Sequence, residues 1–132
     1  MSQENVELAR QYFEALNVGM DASEHLRHPD IEVFDIPDLP DADRYVGEAA
    51  VRRMIESMLG VGWDGQYRVQ EYLDAGEEVV VIWQARGRTA HGGGFPLEGT
   101  FAHVLLFEGR RVRRIRQYLS RAEALEAAGL RE

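Results

Sequence analysis

The stretch LEGTFAHVLLFEGRRVRRIRQYL (97–119) decides the fold. Its side chains alternate with a period of two, as on a β-strand, and EGR in the middle reads as a tight turn. On 97–107, Leu97, Phe101, His103, Leu105 and Phe107 share one face, whereas Thr100, Ala102, Val104 and Leu106 make the other. Both faces are largely apolar. One is expected to meet helices of the chain and the other a second subunit, giving a homodimer through Ala102, Val104 and Leu106. Further out, Tyr67 to Leu73 and Glu78 to Arg88 continue the pattern, joined through DAGE and TAHGGGFP. Connections this short make an antiparallel meander of four strands.

Upstream the period becomes helical. Val6, Ala9, Phe13 and Leu16, widened by Leu8, Tyr12 and Ala15, predict a helix over 2–18 that stops at Gly19. Residues 21–28 (DASEHLRH) predict one short second helix closed by Pro29. IEVFDI (31–36) predicts a strand, and PDLPDAD (37–43) a surface loop. EAAVRRMIESML (48–59) predicts a third helix with Val51, Met54, Ile55, Met58 and Leu59 on one face. Ser120 and Glu123 form a capping box for a last helix, RAEALEAA (121–128), ended by Gly129. The expected fold is α+β, a single domain over 1–132. In it a curved antiparallel sheet packs against three helices from the N-terminal half, with a short C-terminal helix added.

Composition narrows the function. Fifteen basic against 23 acidic residues give a net charge of −8, a field that repels phosphates, so neither nucleic acid nor an anionic membrane is an expected partner. The absence of cysteine removes disulfides and thiolate chemistry. No run approaches the roughly 18 apolar residues of a membrane span, and MSQENVELAR lacks a leader pattern, so a cytoplasmic location is expected.

Three polar residues interrupt apolar surfaces. His103 sits on the aromatic face of its strand, either as a core histidine with one hydrogen bond or as an N–H donor to a ligand oxygen. Asp35 ends an apolar strand between Phe34 and Ile36, either capping a loop or, if desolvated, serving as a general base. Tyr12 lies on an amphipathic helix, where most tyrosines keep a wet hydroxyl. RRVRRIR (110–116) reads as a solvated strand face paired with acids, and HGGG (91–94) as a flexible hairpin loop. His25 and His28 have helical-neighbour spacing, but Pro29 breaks the geometry and a fourth ligand is lacking, so no metal is expected.

The runs RQYFEALNVG (10–19), IEVFD (31–35), GEAAVRRM (47–54) and LLFEGRRVRRIRQYLSRAEALEAAGL (105–130) resemble SnoaL-like and ketosteroid isomerase-like proteins of the nuclear transport factor 2-like superfamily. The resemblance covers almost the whole chain. It implies a cone-shaped fold around a pocket for a small hydrophobic molecule, without a cofactor. It places an oxyanion-holding tyrosine on Tyr12 and a general base on Asp35. The second oxyanion donor, a protonated acid in the isomerases, falls on His103 here. The implied reaction is proton abstraction next to a carbonyl by Asp35, the enolate oxygen being held by Tyr12 and His103. Phe13, Met54, Met58, Trp63, Phe101, Leu105, Ile115 and Gln117 are the residues expected to line the pocket. Two alternatives stand beside this: a non-catalytic binding module of the same fold, and a polyketide cyclase-like enzyme. The second lacks an acid on strand 111–119.

Overall fold

The computed structural model describes residues 2–37, 43–60, 62–87 and 99–130. Part of the loop 37–43, Arg88, the HGGG loop and Leu97 lie outside the described residues. In chain order the elements are α1 (Ser2–Val18), α2 (Met20–Ser23), a 3-10 turn (Glu24–Leu26), β1 (Arg27–Phe34), β2 (Arg44–Val46), α3 (Glu48–Gly60), β3 (Arg68–Ala75), β4 (Glu78–Ala85), β5 (Gly99–Glu108), β6 (Arg111–Tyr118) and α4 (Arg121–Ala127).

The strands form one open sheet in the order β2-β1-β6-β5-β4-β3. From β3 to β6 it is the antiparallel meander that the alternation predicts. At the other edge the expectation of a purely antiparallel sheet needs correcting: β1 pairs with β6 in parallel, so the sheet is mixed. Such a pairing joins distant parts of the chain and has no local signature. One-residue register shifts at Val69/Glu71 and Leu106/Phe107 have the form of bulges, which bend a sheet, and a longer irregularity separates Arg27 from Glu32.

A second correction concerns 21–28. The helix ends at Ser23, and the chain passes through the 3-10 turn into β1, which includes His28 and Pro29. Pro29 is tolerated because the β1–β6 ladder has no paired residues between Arg27 and Glu32, so no ladder N–H is required of it. The short β2 returns along β1 as a hairpin arm and was not anticipated; three residues carry no readable period.

The inner, concave face of the sheet meets α1 and α3. Val79, Val81 and Trp83 of β4, Phe101 and Leu105 of β5 and Ile115 of β6 pack there against Tyr12, Phe13, Val51 and Ile55. On the outer face, Val80, Ile82, Ala102 and Val104 form a smaller core with Ala124 and Leu125 of α4. The apolar alternate face is therefore covered at Ala102 and Val104 by the chain's own helix, while Leu106 stays half-buried. Ser120 caps α4 as expected, its hydroxyl accepting from the Glu123 N–H at 3.1 Å. Gly129, at φ 77°, ends the helix, with the Leu130 N–H donating to the Leu125 carbonyl at 2.8 Å.

The basic run pairs with acids as expected. Arg114 and Arg116 both reach Glu78, and Arg113 reaches Glu32 and Glu108. Arg116 also donates to the Ala127 carbonyl, so the run helps to hold α4 down.

Candidate functional site

Tyr12 projects from the middle of α1 and His103 from the middle of β5, both into the concave side. They line one small cavity with Leu16, Val33, Val51, Met54, Ile55, Met58, Tyr67, Trp83, Ile115 and Gln117. Its volume is about 20 Å³, room for a single water molecule. Of the residues expected to line the pocket, Met54, Met58, Ile115 and Gln117 do so. Phe13, Trp63, Phe101 and Leu105 stand behind them in the same core instead.

Aromatic rings enclose His103. Phe13, Tyr67 and Trp83 lie 5.9, 6.3 and 5.4 Å from it between ring centroids, and Phe13 also sits 5.7 Å from Tyr12. Neither ring nitrogen of His103 has a hydrogen-bond partner, nor do the indole nitrogens of Trp63 and Trp83. Burial pushes the His103 pKa down to about 3, with the Gln117 side chain opposing, so the imidazole is neutral over the physiological range. Gln117 stands directly across the β5–β6 ladder from His103.

Tyr12 has a different neighbour, missed in the sequence reading. The guanidinium of Arg27 lies 6.0 Å from its ring. Burial raises the Tyr12 pKa, with Arg27 working the other way. Arg27 itself is buried and fully engaged: Nε and Nη2 grip both oxygens of Glu48 at 2.7 Å, Nη1 donates to the Ser23 hydroxyl, and Nη2 also donates to the Met20 carbonyl at 2.9 Å. Burial disfavours the cation, but Glu48 and Tyr12 together outweigh that and hold the Arg27 pKa above its ordinary value. Arginine within DASEHLRH carries no sign of this, because its partner is 21 residues away.

Asp35 does not join Tyr12 and His103 in the cavity. It follows the end of β1, half-buried, with Oδ1 accepting from the Ile36 N–H at 3.0 Å and its own N–H donating to the Asp43 carbonyl at 2.9 Å. It lines a cleft of about 470 Å³ with Phe34, Pro37, Asp43, Arg44, Arg114, Arg116, Gln117 and Tyr118. Burial raises the Asp35 pKa, the Ile36 N–H lowers it, and Asp43 raises it further. Gln117 lines both spaces; its amide donates to the Phe34 carbonyl at 3.3 Å and lies 3.7 Å from the Met54 sulfur. Among the described residues no group of three acidic or histidine side chains is placed to hold a metal ion, and no helix is long and apolar enough to cross a membrane.

The model of the SnoaL-like domain matches residues 9–115. No curated protein matches the chain in sequence. Solved structures share the fold at low identity. A nuclear transport factor 2-like protein from Burkholderia thailandensis is 21% identical, with 96% of this chain and 98% of that one covered and a TM-score of 0.73. A provisionally assigned ketosteroid isomerase from Kribbella flavida is 21% identical, over 92% and 81% of the two chains, with a TM-score of 0.69. A provisionally assigned polyketide cyclase from Sinorhizobium meliloti is 19% identical, over 89% and 98%, with a TM-score of 0.67.

Proposed function

The chain belongs to the SnoaL-like domain family, and we propose that it holds one small, mainly apolar organic molecule in the Asp35 cleft, its polar tip directed past Gln117 toward Tyr12 and His103. The observation that carries this is the position of Gln117, the residue shared by the cleft and the cavity. The cleft is of ligand size, within the roughly 300–1,000 Å³ usual for small-molecule sites. The inner cavity is not, so the tip enters only if Gln117 gives up its contacts with Phe34 and Met54. Beyond it waits a neutral imidazole with one donor and one acceptor nitrogen, neither in a hydrogen bond of ordinary geometry and with the Gln117 side chain as its polar neighbour. A carbonyl oxygen is the group such a donor would hold.

The raised pKa of Asp35 favours an enzymatic version of the same reading. On it, Asp35 takes a proton from the carbon next to the carbonyl, and Tyr12 and His103 hold the enolate oxygen, with no cofactor. Asp35 would first have to release the Ile36 N–H. The non-catalytic binding module differs only in lacking this step. A cyclase-like reaction has less support, because β6 offers no acid. The proposal also includes a cytoplasmic location and a homodimer on the outer sheet surface around Leu106 that α4 leaves open.

Solvent-deuterium exchange next to the carbonyl of a β,γ-unsaturated cyclohexenone tests the reading. Exchange by the native protein, abolished in Asp35→Asn with ketone binding retained, is the expected result. Binding without exchange leaves the binding module, and no binding at all removes both versions. A monomer at micromolar concentration in sedimentation would remove the dimer.

A further inference from the structure

We propose that the space between the C-terminal ends of α1 and α3 is a second small-molecule site, selective for a compact apolar ring of about benzene size. This does not rest on the cleft reading above. The space measures about 170 Å³ and is lined by Leu16, Val18, Met20, Ile55, Leu59, Trp63 and Tyr67, together with Asn17, Gly19, Gly65 and Gln66. An apolar cavity of about 150 Å³ is enough to take up benzene.

Three observations make it a site. First, of the three large apolar side chains that stand most exposed among the described residues, two lie on its lining: Val18, 81% exposed, and Leu59, 45%. An apolar rim around an apolar hollow is the surface pattern of a binding site. Second, the amide side chains of its lining are already engaged, and the unpartnered Trp63 indole N–H is buried away from solvent. Asn17 donates to the Tyr67 carbonyl at 2.9 Å and accepts from the Tyr67 N–H at 2.6 Å, and the Gln66 amide donates to the Asn17 carbonyl at 3.3 Å. A polar guest would find these groups taken, so the selectivity is for apolar molecules. Third, the floor is fixed. Trp63 is tied by its N–H to the Met58 carbonyl at 3.2 Å and bridged to Gly87, where a Cβ would come 2.9 Å from the Trp63 Cα. Only glycine allows that approach. The guest would therefore meet a preformed hollow, which reduces the ordering that binding costs.

The chamber shares Leu16, Ile55 and Tyr67 with the Tyr12–His103 cavity and no residue with the Asp35 cleft.

The test is a titration of the folded protein with benzene, and in parallel with the isosteric but strongly polar pyridazine, followed by NMR of side-chain methyls and indole N–H groups. Saturable benzene shifts at Val18, Leu59, Leu16 and the Trp63 indole, absent with pyridazine, are expected. Val18→Asp and Leu59→Asp, both on the exposed rim, should each weaken benzene binding about tenfold with the thermal transition retained. Shifts confined to Val33, Met54 and Ile115 would place benzene in the inner cavity and overturn the proposal. So would equal response to pyridazine or no saturable response at all. Rim shifts that follow protein concentration without any guest would assign the patch to a second copy of the chain, again against it.

Discussion

Two buried basic side chains, Arg27 and His103, are treated by the fold in opposite ways. Arg27 has a carboxylate, a hydroxyl and a carbonyl arranged around its guanidinium. His103, equally enclosed, has no hydrogen bond of ordinary geometry at either nitrogen and only the Gln117 side chain beside it. Buried polar groups in native proteins are nearly always satisfied, so the exception calls for a reason. The difference separates a residue that holds the molecule together from one kept available for something not part of the chain.

The comparison can be broken from either side. The largest effect is expected from Glu48→Gln, which leaves the buried Arg27 cation without its counter-charge and should cost about 3 kcal/mol in denaturant unfolding. A loss well under 1 kcal/mol would show that Arg27 is not held as described. Next comes pH. His103 titrates near 6.5 when unfolded and near 3 when folded. Between these values the unfolded chain binds the extra proton, so stability falls as pH falls, by up to about 1.4 kcal/mol per unit, and flattens below 3. His103→Leu should remove that slope. Acid sensitivity from Glu48 should remain: burial raises its pKa, but Arg27 and Arg52 outweigh this and hold it below the usual range. Glu48 therefore stabilises above the ordinary carboxylate pKa and ceases to as pH falls through its own. At neutral pH, His103→Leu should be neutral or raise stability by about 1 kcal/mol, since an unpartnered polar group gives way to an apolar one. A clear loss would mean that His103 has a structural partner. The smallest effect belongs to Arg52→Ala, which removes partly exposed ion pairs to Glu48, Asp21 and Glu24 and leaves both contacts of Glu48 to Arg27 in place.

Much of this was legible in the sequence, and the limits have identifiable causes. Alternation gave the meander and placed His103, Leu105 and Phe101 inward, because one residue out of register would have reversed all of them. On β4 it does not tell which face lines the pocket, because Val80 and Ile82 lie under α4 while Val79, Val81 and Trp83 face α1, so neither side of the strand is polar. The same helix accounts for apolar positions that suggested a partner at Ala102 and Val104. Among the candidates, the family resemblance brings Tyr12 and His103 together, and they do share a cavity. The same resemblance adds Asp35, but the strand ends at Phe34 and the chain turns toward β2 just there, which carries Asp35 out of the cavity. Arg27 was passed over because a charged residue in a polar run gives no hint of burial.

The covering of Val80, Ile82, Ala102 and Val104 by α4 has a consequence during biosynthesis. A ribosome completes all six strands before it makes the helix that shields their outer side. For that interval the nascent sheet presents its apolar back to its surroundings, where it is open to aggregation or to capture by a neighbouring chain. The newborn protein's exposure to misassembly ends when its seven-residue last helix docks.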